Sequence, residues 1–295
     1  MRDGERTEAA SLSLAGQHSL RIRDYIHILL VTILGALVLK TCVVEAFRIP
    51  SASMENTLLA GDFLLVNKFI YGAKTPSSVP FLPWRIPQIQ FPAFASPTYG
   101  DVVVFELPVY ARDNGSPSNY VKRCVGLPGD TIRIVNRRLL VNGKEFPPTA
   151  RAKPSARRIF PQGYGDSRIF PKGSAFNEDN YGPLAIPRRG DRLTLDARTF
   201  LYAKGIIEHE GHTAKLDGGD RVMVDGVPCS SYGVERNYFF MIGDNRDNSL
   251  DSRFWGFVPD DLIIGKAMMI YFSVDESAGA FPANVRWGRI GMVVR

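Results

Sequence analysis

The stretch Arg48-Ile-Pro-Ser-Ala-Ser-Met-Glu-Asn-Thr-Leu-Leu59 lies between the longest apolar segment of the chain and a series of short hydrophobic runs. Neither a helical period nor a strand period extends through residues 50–56, which predicts a tight, exposed turn at the edge of a domain. Two serines of this turn, Ser51 and Ser53, are candidates for chemistry. A serine-rich linker behind a membrane anchor would show the same pattern, so the rest of the chain has to decide between these interpretations.

The apolar segment, residues 25–47, is long enough for a membrane-spanning helix, which needs about 20 residues. Arg2, Arg6, Arg21 and Arg23 precede it, whereas Arg48 is the only arginine in the first twenty residues after it. The positive-inside rule therefore predicts a cytoplasmic tail over residues 1–24 and places the rest of the chain on the outer side of the membrane.

A removable signal peptide is the alternative interpretation of the same segment. Val44-Glu-Ala46 offers small residues at the first and third positions that precede a cleavage point. Cleavage there would leave the turn with Ser51 and Ser53 almost at the new N-terminus. We therefore predict a retained, single signal-anchor helix over residues 25–47.

The composition favours a β-rich body. Of the 295 residues, 27 are Gly and 20 are Pro, which indicates many turns. The net charge of +6 is mild, and no block of Lys or Arg suggests that the protein binds nucleic acid. Attraction to an anionic lipid bilayer is the more natural use of the excess charge.

Short runs of strand composition recur behind the turn. They are residues 61–71, 100–108, 120–125, 131–135, 139–141, 191–195, 221–224, 237–242 and 263–272. The Asn142-Gly143 turn between such runs is typical of a hairpin. The predicted fold class is mainly β, an antiparallel β-sheet domain preceded by a single N-terminal transmembrane helix.

Residues 146–236 differ from their surroundings because Arg, Pro and Gly become frequent. Arg158-Ile-Phe-Pro-Gln-Gly163 recurs as Arg168-Ile-Phe-Pro-Lys-Gly173, which we interpret as a local duplication. We predict an inserted, non-catalytic β-rich subdomain here, which leaves residues 48–145 and 237–295 as the main β domain.

A second irregular segment, residues 74–99, combines a high density of Pro with exposed aromatic residues. Pro at this density excludes a central strand or a helix. The segment would suit contact with lipid headgroups beside the anchor, or a loop folded back over the core, and the sequence leaves both open.

The usual catalytic and metal-binding residues are scarce in the predicted outer part. His209 and His212 stand in Glu-His-Glu-Gly-His, one residue short of the His-Glu-x-x-His spacing of zinc proteases. Cys124 and Cys229 are not spaced for a metal site, and a disulfide between them stays an open alternative. We predict no metal and no cofactor. A serine nucleophile would then need a base other than histidine.

Lys122 is the best-placed candidate for that base. In a strand, Tyr120, Lys122 and Cys124 share one face, whereas Arg123 points to the other, so Lys122 could turn into the core. A free lysine has a pKa of about 10.4, and acting as a base near neutrality needs a decrease of roughly 3 units, which burial can supply. The competing interpretation is an ordinary surface Lys-Arg pair.

Three stretches together resemble a known family. Pro50-Ser-Ala-Ser-Met54, Tyr120-Val-Lys-Arg-Cys-Val-Gly-Leu-Pro-Gly-Asp130 and Gly243-Asp-Asn-Arg-Asp-Asn-Ser-Leu-Asp-Ser-Arg253 look like boxes of the bacterial type I signal peptidases, also called leader peptidases. Gly61-Asp62 and Gly100-Asp-Val-Val-Val104 fit the intervening boxes in the same order. Apart from the inserted region, the resemblance runs from about residue 47 to residue 259.

The resemblance implies a serine endopeptidase with a Ser/Lys dyad that removes signal peptides after Ala-x-Ala-like sites. Ser53 would be the nucleophile and Lys122 the general base. The Ser53 N–H and the Ser51 hydroxyl would form the oxyanion hole. The supporting residues implied are Ser249, which would hydrogen-bond and orient the Lys122 amine, and Asp251, Arg253, Asp244 and Arg123 around it.

Further expectations come from the same resemblance. Shallow substrate pockets for small side chains would be formed by Ile49, Pro50, Met54, Leu58, Tyr120 and Val121. The partners would be signal peptides of secreted preproteins and the lipid bilayer, with the protein monomeric. Its place would be the bacterial cytoplasmic (inner) membrane, single-pass, with the catalytic domain on the periplasmic side. Ala52 and Cys124 depart from the residues that are common in the family, Gly and Ala.

Other functions remain conceivable from the sequence. A specialised relative could trim one dedicated substrate such as a conjugation pilin. Self-cleaving repressors also use Ser-Lys chemistry, but they are soluble and carry a DNA-binding domain. A non-catalytic, membrane-anchored β domain that binds a secreted partner would have an ordinary, charged Lys122 near the surface.

Overall fold

The structure is a computed structural model, and it describes residues 22–33, 35, 43–72, 91–112, 118–147, 157–218 and 220–295. Its strands are β1 Val44–Arg48, β2 Asp62–Asn67, β3 Val102–Glu106, β4 Asn119–Gly126, β5 Thr131–Val135, β6 Arg138–Val141, β7 Lys144–Glu145, β8 Tyr181–Ala185, β9 Arg192–Thr194, β10 Ala214–Leu216, β11 Val222–Val224, β12 Val227–Pro228, β13 Ser231–Gly233, β14 Tyr238–Ile242, β15 Val258–Pro259 and β16 Ile263–Ser273. Residues 22–33 are helical, as are Phe200–His209 and Ser252–Trp255. Single turns of 3₁₀ helix occur at Phe69–Tyr71, Val109–Ala111, Arg246–Asn248, Asp260–Leu262 and Trp287–Arg289.

A seven-stranded sheet forms the main body, in the order β1-β2-β16-β3-β4-β14-β15. Every one of its pairings is antiparallel. Strand β2 alternates buried and half-buried residues, as expected of a strand whose faces are covered unequally. All five residues of β14 are buried, and its sequence Tyr-Phe-Phe-Met-Ile is the continuous apolar run of a strand covered on both faces.

Three smaller sheets complete the described part: β7-β6-β5-β8, β10-β11-β12 and β13-β9. Asn142 and Gly143 have φ values of 52° and 77° and connect β6 to β7, which is the backbone that a two-residue hairpin turn requires. The prediction of a mainly antiparallel β fold is therefore confirmed.

The predicted insertion shares a sheet with the predicted main domain, because β8 pairs with β5. The division at residue 146 stays a prediction. Within the insertion, the two similar hexapeptides occupy different environments. Ile159 of the first copy is 43% exposed, whereas Ile169 of the second copy is fully buried in the core.

The predicted spanning helix, residues 25–47, is wrong at its C-terminal end. Val44–Arg48 is the edge strand β1, paired with β2 through the register Val44↔Asn67 to Arg48↔Phe63. Val44 and Phe47 are compatible with a strand as well as with a helix. Pairing with the open edge of β2 stabilises the strand. Within the described ranges no helix has both the length and the hydropathy to cross a membrane, and residues 34 and 36–42 of the predicted anchor lie outside them.

Part of the aromatic segment 74–99 is described, from residue 91 onward. The ring of Phe94 stacks on that of Phe69 with 4.5 Å between the centroids, and the N–H groups of Phe94 and Ala95 donate to the Ile70 carbonyl. This portion is folded back on the β domain, although Phe94 stays 72% exposed. Residues 74–90 lie outside the described part.

Candidate active site

Ser53 and Lys122 meet between the turn 50–59 and strand β4. The Lys122 Nζ lies 2.6 Å from the Ser53 Oγ, although the two residues are 69 positions apart in the chain. Both are buried, with exposed fractions of 8% for Ser53 and 3% for Lys122. The side chain of Lys122 thus points into the protein, as predicted, and an ordinary surface Lys-Arg pair is excluded.

Burial changes the acid–base chemistry of Lys122. Desolvation lowers its pKa to about 8, against the opposing attraction of Asp251. Among the described residues no carboxylate bonds to its amine, and the amine donates to the Ser53 hydroxyl instead. A large fraction of Lys122 is therefore neutral just above physiological pH, as a general base has to be.

Ser51 and Ser249 flank the pair in different ways. The Ser51 Oγ is 3.3 Å from the Ser53 Oγ, and Ser51 is exposed, so its hydroxyl can reach a bound substrate. The Ser249 Oγ is buried without a hydrogen-bond partner in the described structure. The predicted hydrogen bond from Ser249 to the Lys122 amine is therefore not formed, because the buried hydroxyl does not come within bonding geometry of the amine.

The polar loop, residues 243–253, is held by a buried ion pair. Arg253 donates from Nε and Nη2 to the two carboxylate oxygens of Asp251, at 2.8 and 2.9 Å. Asp251 also accepts from the Gly243 N–H at 3.1 Å. Burial alone would raise the pKa of Asp251, but the adjacent Arg253 guanidinium holds this pKa below its usual range. Asp251 thus stays charged and is directed to Arg253 rather than to Lys122.

A second buried pair connects β4 to the same loop. Arg123 donates to both carboxylate oxygens of Asp244, at 2.8 and 2.6 Å, and to the Gly100 carbonyl at 2.6 Å. Thr57 of the serine turn donates to Asp244 at 2.5 Å. The predicted supporting residues Arg123 and Asp244 therefore contact each other and brace the turn that carries Ser53.

The structure adds residues that the sequence did not single out. The Asn245 N–H donates to the Ser53 carbonyl at 3.0 Å, and its side chain donates to the Ala52 carbonyl at 3.1 Å. Arg289, near the C-terminus, donates to both carboxylate oxygens of Asp62 and to the Thr57 carbonyl. The Gly61-Asp62 sequence indicated Asp62 as one partner of this contact, but no local pattern indicated Arg289 as the other partner.

Gly243 allows the polar loop to approach the serine turn. A Cβ at this position would lie 2.1 Å from the Ser249 Oγ and 2.6 Å from the Ser53 carbonyl oxygen. Such distances are far inside van der Waals contact, and the backbone carbonyl could not move without displacing Ser53. Only glycine fits here.

The predicted pocket residues divide by burial. Ile49, Met54 and Leu58 belong to one buried apolar cluster, and Val121 packs against it. Tyr120 is half-buried, with its ring centroid 5.4 Å from the Lys122 Nζ, and Pro50 is exposed. An apolar wall therefore stands on one side of Ser53.

Histidine and cysteine take structural positions. His209 contacts Asp261 at 2.9 Å, and His212 lies between Asp225 and Glu235 at 2.6 and 3.1 Å. Cys124 and Cys229 are both free thiols. In the part of the chain that the structure describes, no group of His, Cys, Asp and Glu side chains could hold a metal ion.

Comparisons with known proteins agree on one family. Residues 22–272 match the model of the family described as signal peptidase, peptidase S26. The chain is 33% identical over 271 residues to Signal peptidase I of Buchnera aphidicola subsp. Schizaphis graminum, which covers 87% of this chain and 77% of that one. It is 34% identical to Signal peptidase I of Pseudomonas fluorescens over 269 residues, 87% and 74% of the two chains. For Signal peptidase I of Aquifex aeolicus the identity is 29% over 265 residues, 85% of each chain.

Proposed function

This chain belongs to the signal peptidase family, peptidase S26, whose serine proteases remove signal peptides, and we propose that it does so with a Ser53–Lys122 dyad. The single observation that carries the proposal is the contact of 2.6 Å between the Ser53 Oγ and a buried lysine amine whose pKa is lowered to about 8. The substrates are exported preproteins, cut after Ala-x-Ala-like sites.

The proposed reaction begins with proton transfer from the Ser53 hydroxyl to the neutral Lys122 amine. The Ser53 Oγ then attacks the scissile carbonyl carbon, and the Ser53 N–H and Ser51 hydroxyl donate to the oxyanion. Lys122 gives its proton to the leaving amine, the bond to the mature polypeptide breaks, and an acyl-enzyme remains on Ser53. A water molecule, deprotonated by Lys122, hydrolyses this ester and releases the signal peptide.

The supporting roles follow from the contacts. The Ser249 side chain lies against Gly243, and Asp251 with Arg253 would keep this loop in place. Asp244 and Arg123 would fix β4 against the serine turn. All five are positioning residues, because none has to touch the reacting atoms.

The substrate would bind along the start of β4. Residues 119–122 pair with β3 on one side, whereas β14 ends its pairing at Ile242↔Arg123, which leaves the other edge of Asn119 to Lys122 without a strand partner in the described part. An extended peptide can add there as a strand. Ile49, Met54, Leu58 and Val121 would then bound pockets for the small side chains at the first and third positions before the cut.

A cleavage assay with the detergent-solubilised full chain tests the proposed function. We expect a preprotein with an Ala-x-Ala site to be cut once, directly after the second Ala, as read by mass spectrometry of both products. The same preprotein with Phe in place of that Ala is the control and should resist cleavage, because the pocket is shallow. Cleavage of both substrates at equal rates would contradict the proposed specificity.

The location of the protein is part of the proposal. The family is membrane-anchored in bacteria, and we propose the same for this chain, with residues 1–24 cytoplasmic, the anchor ending before β1, and residues 48–145 and 237–295 forming the periplasmic catalytic domain. The protein would act as a monomer beside the lipid bilayer. N-terminal sequencing of the membrane-extracted protein from the same preparation should return the intact N-terminus.

The rate should depend on pH through Lys122. Because only the neutral amine accepts the proton of Ser53, kcat/KM should rise with pH, reach half of its maximum near the Lys122 pKa of about 8, and level above it. The measurement is kcat/KM for one preprotein without ionisable groups beside the cut, from about pH 6 to about pH 10. A profile that is flat or falls through this range would rule out Lys122 as the base.

A further inference from the structure

A cavity of about 850 Å³ lies beside the Ser53–Lys122 pair, between the segment leading into β4 and the helix Phe200–His209. Tyr110, Tyr120 and Trp255 contribute aromatic lining. Its volume is within the range of about 300–1,000 Å³ that is usual for ligand sites. Because one wall belongs to the predicted insertion, this cavity gives residues 146–236 contact with a site next to the chemistry.

The cavity lies next to Lys122, the residue that protonates the leaving amine in the proposed reaction. Tyr120, in its lining, faces the Lys122 amine, and Leu250, also in its lining, follows Ser249 directly. In the proposed reaction Lys122 protonates the leaving amine, so the polypeptide after the cut would begin near this amine. The apolar wall of Ile49 and Met54 belongs to a different cluster, which is suited to the residues before the cut.

The lining has the chemistry of a polypeptide site. Trp255 lines the cavity, and its buried Nε1 has no hydrogen-bond partner in the described structure. The Lys172 amine is hydrogen-bonded to the carbonyls of Ser167 and Arg168, at 3.2 and 2.9 Å, and pairs with no carboxylate of the described residues. The carboxylate that its charge influences, Asp166, is already paired with Arg168, so it compensates the Lys172 charge only in part.

The other charged side chains in the lining do not cancel the positive charge of Lys172. Glu208 is the only carboxylate among the described lining residues, and the Lys204 amine lies 3.7 Å from it. Arg168 is paired with Asp166 and with Glu178. A basic side chain entering the cavity would meet the Lys172 amine, whereas an acidic or uncharged one would not be repelled.

We propose that this cavity receives the first residues of the mature polypeptide after the cut and selects against basic side chains there, with Lys172 as the specificity-determining residue. The inference rests on the proposed function, since it needs a preprotein that is cleaved at Ser53. At about 3.3 Å per residue, four extended residues span roughly 13 Å, so the selection concerns a short stretch behind the cut.

The test uses one preprotein with an unchanged signal peptide and cleavage site, whose third to sixth mature residues are all Asp, all Asn or all Lys. For the unchanged enzyme we expect kcat/KM to be similar with Asp and Asn and about fivefold lower with Lys, mainly through KM. Lys172→Glu should abolish or invert this preference. Lys215→Glu, an exposed lysine of β10 outside the cavity, is the matched control and should keep it.

Salt separates a charge effect from a change in structure. At high ionic strength, the preference of the unchanged enzyme for the Asp and Asn substrates over the Lys substrate should become smaller. An inverted preference in Lys172→Glu should become smaller as well. Equal kcat/KM for the three substrates, or an unchanged preference in Lys172→Glu, would overturn the inference while cleavage itself left the proposed function intact. If the unchanged enzyme cleaved none of them, both would fall.

Discussion

Lys122→Met is expected to lower kcat/KM for preprotein cleavage by about ten-thousand-fold or more, because it removes the one base that contacts Ser53 among the described residues and keeps the side-chain volume. Ser53→Ala should cost a similar factor. The double variant should be no slower than either single one, since nucleophile and base act as a unit. The measurement is single-turnover cleavage with excess enzyme, with Lys144→Met, an exposed lysine of β7, as the active control.

Stability measured in the same samples tests whether a loss of activity in Lys122→Met comes from unfolding. The folded-state pKa of Lys122 is about 8, below the unfolded value of 10.5, so protonating the buried amine costs the folded state about 3 kcal/mol below pH 8. This cost disappears as the pH rises from about 8 to about 10.5. Methionine carries no charge and therefore avoids this cost. Lys122→Met should be at least as stable as the unchanged protein at neutral pH. Retained cleavage by a folded Lys122→Met would exclude the dyad.

Arg253→Met is expected to lower the free energy of unfolding by about 3–5 kcal/mol, because it leaves the fully buried Asp251 carboxylate without its counter-charge. Cleavage should fall too, since the loop 243–253 also holds the Ser53 turn through Asn245. Chemical denaturation followed by tryptophan fluorescence gives the stability change. The double variant Arg253→Met, Asp251→Leu should recover part of the loss, because no unpaired charge remains.

An exposed ion pair of the same kind provides the control. Arg138 and Glu145 lie 71% and 45% exposed on the β6–β7 hairpin, where water solvates each charge. Arg138→Met should leave stability nearly unchanged. Comparable losses in Arg138→Met and Arg253→Met would show that burial of the Asp251–Arg253 pair does not determine its effect.

The sequence predicted the elements whose pattern is local. Residues 131–135 and 139–141 form β5 and β6 nearly as expected, and the Asn142-Gly143 turn connects the hairpin. The pairing of Ser53 with Lys122 was also predictable, although through resemblance rather than spacing. What these features share is that a few neighbouring residues, or three motifs in order, carry the information.

The missed features depend on distant partners. The helix Phe200–His209 has Gly205 at its centre, which argues against a helix in sequence, but a Cβ there would lie 3.2 Å from the ring of Tyr110. Tertiary packing therefore overrides propensity. Strand β1 was taken for the end of a helix because only the edge of β2 makes it a strand. The orientation of the Ser249 hydroxyl depends on local geometry that no pattern encodes.

The order of the seven-stranded sheet affects when the active site can form during synthesis of the chain. Strand β16, Ile263–Ser273, lies between β2 and β3, and its neighbours in sequence supply Arg289 to the turn behind Ser53. Such pairings join residues more than 200 positions apart, for example Ser273 with Asp62. Loop closure over that distance is slow, so the nucleophile is assembled only after the chain has been synthesised almost to its last strand. A nascent chain that ends before β16 should therefore lack peptidase activity.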